Sequence, residues 1–161
     1  MQIYLLRHGI AEDGKPGRPD SERALTDEGR TRLRRVLRRA RSADVAPTLI
    51  LSSPYRRAVE TAEVAADVFR YAGDMVRSKA FVPEASAEQA WEEIRLYSGE
   101  SAILVSSHEP LMSATAAYLL GCTGLQLDMK KAALVRIDVE RFGEAPRGIL
   151  KWMITPGLCL E

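Results

Sequence analysis

The segment Ile3-Tyr4-Leu5-Leu6-Arg7-His8-Gly9 begins the chain with an apolar run that ends in a charged residue, a histidine and a glycine. A short run of this composition predicts a buried strand over residues 2–6, with His8 just beyond its carboxyl end. Open α/β sheets bind their ligands at the carboxyl ends of their strands. The sequence therefore places His8 where chemistry is expected.

The chain has only two histidines, and the second, His108, follows a similar run over residues 102–107. A helix-like segment comes after each histidine. Both imidazoles would therefore reach the same edge of a parallel sheet if the two strands are neighbours. Either histidine alone has an ordinary structural interpretation as a buried, hydrogen-bonded side chain. Their shared position at strand ends favours a functional site.

Strands and helices alternate along the chain, which predicts a three-layer α/β/α fold with a mostly parallel central sheet of about six strands. Further strands are expected over 48–52, 75–80, 102–107, 133–139 and 149–155, and helices over 27–42, 54–69, 86–97 and 109–120. The last two strands are expected to form a hairpin that closes one edge of the sheet, with one edge strand antiparallel. At 161 residues and without internal repeats, we expect a single domain over 1–161.

The charge balance excludes a global electrostatic attraction to nucleic acid or to an acidic membrane. Lys and Arg number 23 against 22 Asp and Glu, for a net charge of +1. Cys122 and Cys159 are too few for a disulfide framework, and no apolar run reaches the roughly 18 residues of a membrane span. We expect a soluble cytoplasmic monomer without a nucleic-acid or membrane partner.

The helix expected over 27–42 carries many arginines beside a regular apolar stripe. The stripe consists of Leu33, Val36, Leu37 and Ala40, with the spacing of one buried helix face. The arginines could dock an acidic partner or form a solvated face. The solvated face is favoured, because no aromatic residues are interleaved with them to stack on bases.

Several arginines are expected near the two histidines. Arg7 directly precedes His8, and Arg56 and Arg57 lie in the first turn of a helix that Ser53 is expected to cap. Guanidinium groups at a helix start attract phosphate or carboxylate. These cations therefore indicate a pocket for a dianion.

A long loop over residues 10–25 leaves the strand end that carries His8. Loops of this length in a compact domain are usually functional or mobile. Arg23, near its end, is either a further contact to the site or a solvated loop cation. Zinc fits the pocket poorly, because two histidines lack a third ligand and the guanidiniums repel a metal cation. No metal and no cofactor are expected.

Guanidinium groups bind phosphoryl oxygens and favour the neutral form of a neighbouring imidazole. A neutral imidazole can attack phosphorus. Covalent catalysis through a phosphohistidine, with water completing the turnover, is consistent with this set of residues.

Four segments resemble motifs of the histidine phosphatase superfamily, which has the phosphoglycerate-mutase-like fold. Leu6-Arg7-His8-Gly9 resembles the Arg-His-Gly signature, and Arg23-Ala24-Leu25-Thr26 with Gly29 resembles the Arg-x-Leu-Thr-x-x-Gly segment. Ser53-Pro54-Tyr55-Arg56-Arg57-Ala58-Val59-Glu60-Thr61-Ala62 resembles the helix-start motif, and Ser107-His108 resembles the second-histidine motif. The short length and the lack of a large insertion make the chain look most like SixA-type phosphohistidine phosphatases.

The resemblance implies a role for each matched residue. His8 would be the nucleophile that becomes phosphorylated, Arg7 and Arg57 would clamp the phosphoryl oxygens, and His108 would donate to the same oxygens. Arg23 would be an accessory substrate contact from the loop.

The family motif also distinguishes Arg57 from its neighbour Arg56. The pocket arginine of the family directly precedes an alanine, which here is Ala58. Arg56 is then expected at the surface, although one helical position of error would exchange the two.

One departure from the family bears on the substrate. Superfamily mutases and phosphomonoesterases use an acidic residue to protonate the leaving alkoxide, and no full acid motif matches here. Glu84 is the candidate for that acid and a candidate substrate contact, and Glu109 is a weaker one. An imidazole, with a reference pKa of roughly 6.5, leaves without such an acid, so a P–N substrate is favoured.

We therefore expect a metal-independent phosphohistidine phosphatase, a hydrolase acting on a phosphorylated signalling or phosphotransfer protein. Two alternatives remain. If Glu84 reaches the pocket, a small phosphate ester becomes the substrate of a general phosphomonoesterase. The chain could also be a non-catalytic phosphate-binding module, although such a module has little need of the nucleophile His8.

Overall fold

The computed structural model describes residues 1–159 as one six-stranded sheet between two pairs of helices. The strands are β1 (Gln2–Arg7), β2 (Leu49–Ser52), β3 (Met75–Arg77), β4 (Ala102–Ser107), β5 (Leu134–Asp138) and β6 (Ile149–Ile154). The helices are α1 (Asp27–Arg41), α2 (Arg56–Phe69), α3 (Ala87–Arg95) and α4 (Leu111–Leu119). Short 3-10 turns occur at Asp20–Glu22, Lys79–Phe81 and Pro156–Leu158.

The strand order is β3-β2-β4-β1-β5-β6, with β1 between β4 and β5. β1 is parallel to β4 and antiparallel to β5, and β6 is antiparallel to β5. Within residues 1–159, β5 is thus the one strand that runs against the others, next to the edge strand β6. The mostly parallel sheet and the closing hairpin are confirmed, and the condition that the strands before His8 and His108 are neighbours is met.

The side chains of β1 alternate between two hydrophobic layers, as the period of a strand requires. Ile3 and Leu5 pack in the cluster that contains Trp91 of α3 and Met112 of α4. Tyr4 and Leu6 face the other way, into the cluster with α1 and α2. Because both faces of β1 and β4 are covered, ligands can reach these central strands only at their ends.

Helix α1 forms as the sequence predicts. The Thr26 side chain accepts a hydrogen bond from the Gly29 amide at 2.9 Å, which caps the helix, and the expected apolar stripe is fully buried. Part of the arginine-rich face contacts α2, since Arg34 pairs with Asp67 at 2.7 Å and Arg30 pairs with Glu60. These ion pairs help to orient α2, which carries Arg57.

The expectation that Ser53 caps α2 is wrong. The helix begins at Arg56, and Tyr55 is still extended, with φ −64° and ψ 137°. The hydroxyl oxygen of Ser53 accepts from the Tyr55 amide at 3.2 Å and also contacts His108, so it organises a turn before the helix. This short extended segment allows the first turn of α2 to face the ends of β1 and β4.

Smaller differences concern element ends. Strand β3 spans three residues, shorter than expected, and α4 begins at Leu111, after Pro110. Cys122 is exposed and Cys159 is buried, and both are free thiols. Among the helices of residues 1–159, none has the length and apolar composition to cross a membrane.

Candidate active site

His8 lies just past the end of β1 with its imidazole almost completely buried. Its Nδ1 is 2.7 Å from the carbonyl oxygen of Gly9. A carbonyl oxygen only accepts, so Nδ1 carries the proton in this hydrogen bond and Nε2 keeps its lone pair. The backbone thus sets the tautomer in which Nε2 is the ring nitrogen with a lone pair.

His108 follows β4 and lies beside His8. The parallel pairing aligns Arg7 with Ser107, and the two imidazole centroids are 5.2 Å apart. The Nε2 atom of His108 is 2.8 Å from the Ser53 hydroxyl, and the Tyr55 ring packs edge-on at 5.0 Å. Its Nδ1 is buried without a hydrogen-bond partner among the described residues.

Arg57 in the first turn of α2 points its guanidinium at His8. Its Nε donates to His8 Nε2 at 3.3 Å, and the side chain is 7% exposed. The neighbouring Arg56 is 53% exposed and lies 3.5 Å from Glu60. The structure therefore brings Arg57, and not Arg56, to the histidines.

Thr61, one turn further along α2, ties this helix to the end of β1. Its hydroxyl donates to the Arg57 carbonyl at 2.7 Å and accepts from the Gly9 amide at 3.1 Å. Both hydrogen bonds are buried. Thr61 thereby links the backbone that carries Arg57 to the backbone that adjoins His8.

Arg7 is half-buried at the end of β1. Its Nη1 donates to the Met129 carbonyl at 2.7 Å, whereas its buried Nε has no hydrogen-bond partner among residues 1–159. Buried donors rarely remain unpaired, because removing them from water without a partner costs about 1–3 kcal/mol. Arg7 Nε is therefore a donor available to an anion.

Burial and positive charge keep both imidazoles neutral. The pKa of His8 is lowered to about 4, mainly by burial and also by the charges of Arg57, Arg7 and Lys131, against the opposing effect of the Gly9 hydrogen bond. The pKa of His108 is likewise lowered to about 3, mainly by burial and also by His8 and Arg57. At neutral pH, the site combines two neutral imidazoles with positively charged guanidiniums.

Arg23 does not contact His8. Its Nε donates to the Glu12 carbonyl at 2.7 Å and its Nη1 donates to Asp20 at 2.9 Å. Asp20 in turn contacts Arg57, with Oδ2 3.0 Å from Nη2 and the backbone oxygen 2.9 Å from Nη1. Arg23 is thus connected to the site through the carboxylate of Asp20.

Asp20 and Tyr55 contact the site, and the sequence analysis did not identify either of them. Asp20 lies three residues before Arg23, the spacing of one helical turn, and this was the available signal for it. Tyr55 packs against His108 and under the guanidinium of Arg57, whose Cζ lies 5.1 Å from the ring centroid. Its position inside the helix-start motif was the only signal.

Glu84 and Glu109, the two candidates for a general acid, have different surroundings. Glu84 is exposed, and its charge raises the pKa of Tyr55, although burial of Tyr55 is the larger cause. It therefore lies toward the rim of the site. The Glu109 carboxylate accepts from the Ser113 amide at 2.7 Å and is engaged at the start of α4.

The donor set does not form a metal centre. Within residues 1–159, no group of three or more His, Cys, Asp or Glu side chains is arranged to hold a metal ion. What the geometry assembles is a neutral imidazole whose Nε2 lone pair faces guanidinium donors. This arrangement can bind an oxyanion and attack its central atom.

The fold and the site define an α/β protein with a histidine–arginine anion pocket. Residues 3–78 match the model of the histidine phosphatase superfamily (branch 1). The chain belongs to this superfamily and resembles SixA, and it is a phosphatase of that superfamily.

Three similar proteins cover most of the chain. Phosphohistidine phosphatase SixA of Escherichia coli K12 is 26% identical over 159 residues, which are 97% of this chain and 94% of that protein. An uncharacterized protein of a Picosynechococcus species is 33% identical over 138 residues, covering 84% and 83%. A solved structure of the protein histidine phosphatase SixA complexed with tungstate superposes with a TM-score of 0.86 at 25% identity, covering 98% of each chain.

Proposed function

We propose that this phosphatase removes the phosphoryl group from phosphohistidine in a signalling or phosphotransfer protein, through a covalent phosphohistidine intermediate on His8. The observation that carries the proposal is the state of His8. Its Nδ1 proton is held by the Gly9 carbonyl, and its Nε2 lone pair faces the Arg57 guanidinium. A lone pair beside an oxyanion-binding cation is positioned for in-line attack on phosphorus.

In the proposed first step, His8 Nε2 forms a bond to phosphorus while the bond to the leaving group breaks. Arg57 Nε turns from His8 to a phosphoryl oxygen, and Arg7 Nε, which is buried and unpaired, donates to another. Both arginines oppose the negative charge that spreads over these oxygens in the transition state. Arg23 acts from outside, through Asp20.

His108 is proposed as a further donor to the phosphoryl oxygens. When the Ser53 hydroxyl donates to His108 Nε2, the proton of the neutral imidazole resides on Nδ1. That Nδ1 is the buried atom without a partner. An N–H at this position can bind a phosphoryl oxygen without changing its charge state.

In the proposed second step, water attacks the phosphorus bound to His8. The N–P bond breaks, its electron pair returns to Nε2, and inorganic phosphate is released. The low pKa of His8 assists this step, because a weakly basic nitrogen is a good leaving group.

The placement of the carboxylates favours a P–N substrate. Glu84 is exposed at the rim and Glu109 is engaged in a helix start, so neither stands beside the histidines as a proton donor. An alkoxide leaves poorly without a proton, whereas a protonated phosphoimidazole leaves as a neutral ring. The similarity to a phosphohistidine phosphatase supports the same choice, and the similarity to a tungstate complex supports a pocket for a tetrahedral oxyanion like phosphate.

A general phosphomonoesterase is the second candidate function. One observation favours it: the charge of Glu84 acts on Tyr55, which itself contacts His108, so Glu84 lies on the side of the site that Tyr55 lines. Glu84→Gln tests this candidate. A large loss of aryl phosphatase activity in this variant would support it.

The decisive experiment offers the protein a histidine-phosphorylated protein and, separately, an aryl phosphate, in buffer with and without EDTA. We expect phosphate release from the phosphohistidine substrate, unaffected by EDTA because the arginines supply the positive charge. His8→Ala is expected to abolish this release. A phosphoryl label should be trapped on the wild-type chain as an acid-labile phosphoramidate and should be absent from His8→Ala.

The outcomes separate the candidate functions. Hydrolysis of the aryl phosphate alone would establish the phosphomonoesterase and refute the phosphohistidine substrate. Binding of phosphate without turnover of either substrate would identify a non-catalytic module. Loss of activity in EDTA, restored by a divalent cation, would contradict the metal-independent mechanism.

A further inference from the structure

Asp20 is the one described carboxylate that contacts the guanidinium beside the nucleophile. Arg57 donates through Nε to His8 and through Nη2 to Asp20 Oδ2, so a single planar group separates the carboxylate from the attacking nitrogen. Arg23 holds the second carboxylate oxygen, Oδ1, at 2.9 Å. The carboxylate is therefore fixed at both oxygens next to the space where a substrate reacts.

Asp20 can act only as an acceptor at neutral pH. Its hydrogen bond with Arg23 is the largest cause of its lowered pKa, and Arg57 lowers that pKa further. An ionised carboxylate has about four lone-pair sites, and the two guanidiniums occupy two of them. Acceptor capacity therefore remains, and the side chain is 57% exposed, so a substrate can reach it.

We propose that Asp20 determines the specificity of the site: its carboxylate, held on Arg57 beside His8, accepts the N–H of a phosphorylated imidazole and so favours phosphohistidine over phosphate esters. This inference rests on the function proposed above and assigns the residue that selects the leaving group. A phosphorylated imidazole that is protonated at its second nitrogen offers an N–H there, whereas the leaving oxygen of an ester offers none.

The negative charge of Asp20 favours an imidazole as the leaving group. A ring with phosphorus on one nitrogen and a proton on the other carries a positive charge, which Asp20 stabilises. Attack by His8 Nε2 breaks the N–P bond, and its electron pair stays on the ring nitrogen. The ring then leaves as neutral imidazole, with its N–H still on Asp20, and no proton donor is required.

The negative charge of Asp20 disfavours cleavage of a phosphate ester. Breaking its P–O bond puts negative charge on the leaving oxygen, near the negative charge of Asp20, and an ionised carboxylate has no proton to give. Like charges at close range raise the barrier. The same carboxylate thus assists one leaving group and hinders the other.

The test compares phosphoimidazole with an aryl phosphate as substrates of the wild type and of Asp20→Asn. The amide keeps the size of the side chain but loses the charge. We expect kcat/KM for phosphoimidazole to fall about tenfold or more, the loss of one charged hydrogen bond, while that for the aryl phosphate is unchanged or rises. The ratio of the two is the measured specificity.

Two further variants make the result specific. Glu22→Gln removes an equal charge from an exposed residue of the same 3-10 turn, and its ratio should match the wild type. Asp20→Glu keeps a carboxylate and should retain more of the preference than Asp20→Asn. Thermal melting of each variant checks that it is folded.

The alternatives predict different ratios. If Asp20 only orients Arg57, both substrates lose activity equally in Asp20→Asn. If Asp20 only competes with the phosphoryl group for Arg57, both gain equally. Either result overturns the inference and leaves the proposed function standing, whereas failure of the wild type to cleave any P–N substrate overturns both.

Discussion

The two buried neutral imidazoles make the stability of the fold depend on pH in a way that can be measured. The pKa of His8 is lowered from 6.5 to about 4, and that of His108 to about 3. In the unfolded chain both return to the ordinary value of 6.5. Between these values the unfolded state binds more protons than the folded state, so the free energy of unfolding decreases as the pH falls.

The magnitude follows from the shifts. The contribution is constant above pH 6.5 and levels off below the folded-state pKa values. Each neutral histidine lowers the free energy of unfolding by about 1.4 kcal/mol for every pH unit below 6.5. At pH 5, roughly 1.5 units below that value, the loss is about 2 kcal/mol per histidine. The chain has only two histidines, so together they should remove about 4 kcal/mol of stability between pH 7 and pH 5.

Urea unfolding at pH 7 and pH 5 provides the assay, with the double variant His8→Gln/His108→Gln as the comparison. Carboxylates and the amino terminus titrate in both proteins, so the difference between the two pH-dependent losses isolates the histidines. We expect the wild type to lose about 4 kcal/mol more than the double variant. Equal losses in the two proteins would refute the idea that the folded site excludes protons from both rings.

Three further substitutions test the structure with matched controls. Arg57→Ala should lower kcat/KM by about 100-fold or more, because it removes a donor to the phosphoryl oxygens. The matched control, Arg56→Ala at an exposed position, should keep kcat/KM within about twofold of the wild type in the same steady-state assay. Gly29→Ala would press a Cβ into the Ile10 carbonyl and should lower the free energy of unfolding in urea by about 1–3 kcal/mol. Gly14→Ala, with no neighbour within 4 Å, should change it little, and equal effects of the two substitutions would contradict the close packing. Thr61→Val should lower the free energy of unfolding by about 1–3 kcal/mol and lower kcat, because it leaves the Gly9 amide unpaired. Thr31→Val, on the exposed face of α1, is the control and should change stability by about 0.5 kcal/mol or less. Unchanged kcat in Thr61→Val would show that this hydrogen bond does not position Arg57.

Much of the fold could be predicted from local patterns. The apolar run before His8, the stripe of α1 and the Thr26 cap depend on residues within a few positions of one another, and each formed as expected. The start of α2 was misjudged because Ser53 bonds with His108, which is 55 residues away in the sequence. A local cap signal cannot report such a partner.

The candidate site likewise combines features that local sequence patterns predict with contacts between distant residues that they do not. Strand ends brought His8 and His108 to one sheet edge, and the motif that contains Arg57 was visible in the chain. The contact of Arg7 with the Met129 carbonyl joins residues 122 positions apart, and no local pattern predicts it. The contact of Asp20 with Arg57 depends on how the loop folds back over α2, which only packing determines.

The sequence by itself determined the order of strands and helices, the two histidines at strand ends and the arginines that accompany them. These features follow from side-chain periodicity and from short motifs, which act over a few residues. Only the tertiary structure decided that β4 lies beside β1 and that an aspartate stands between two guanidiniums at the site. Those outcomes depend on contacts between distant segments, whose energies exist only once the chain has packed.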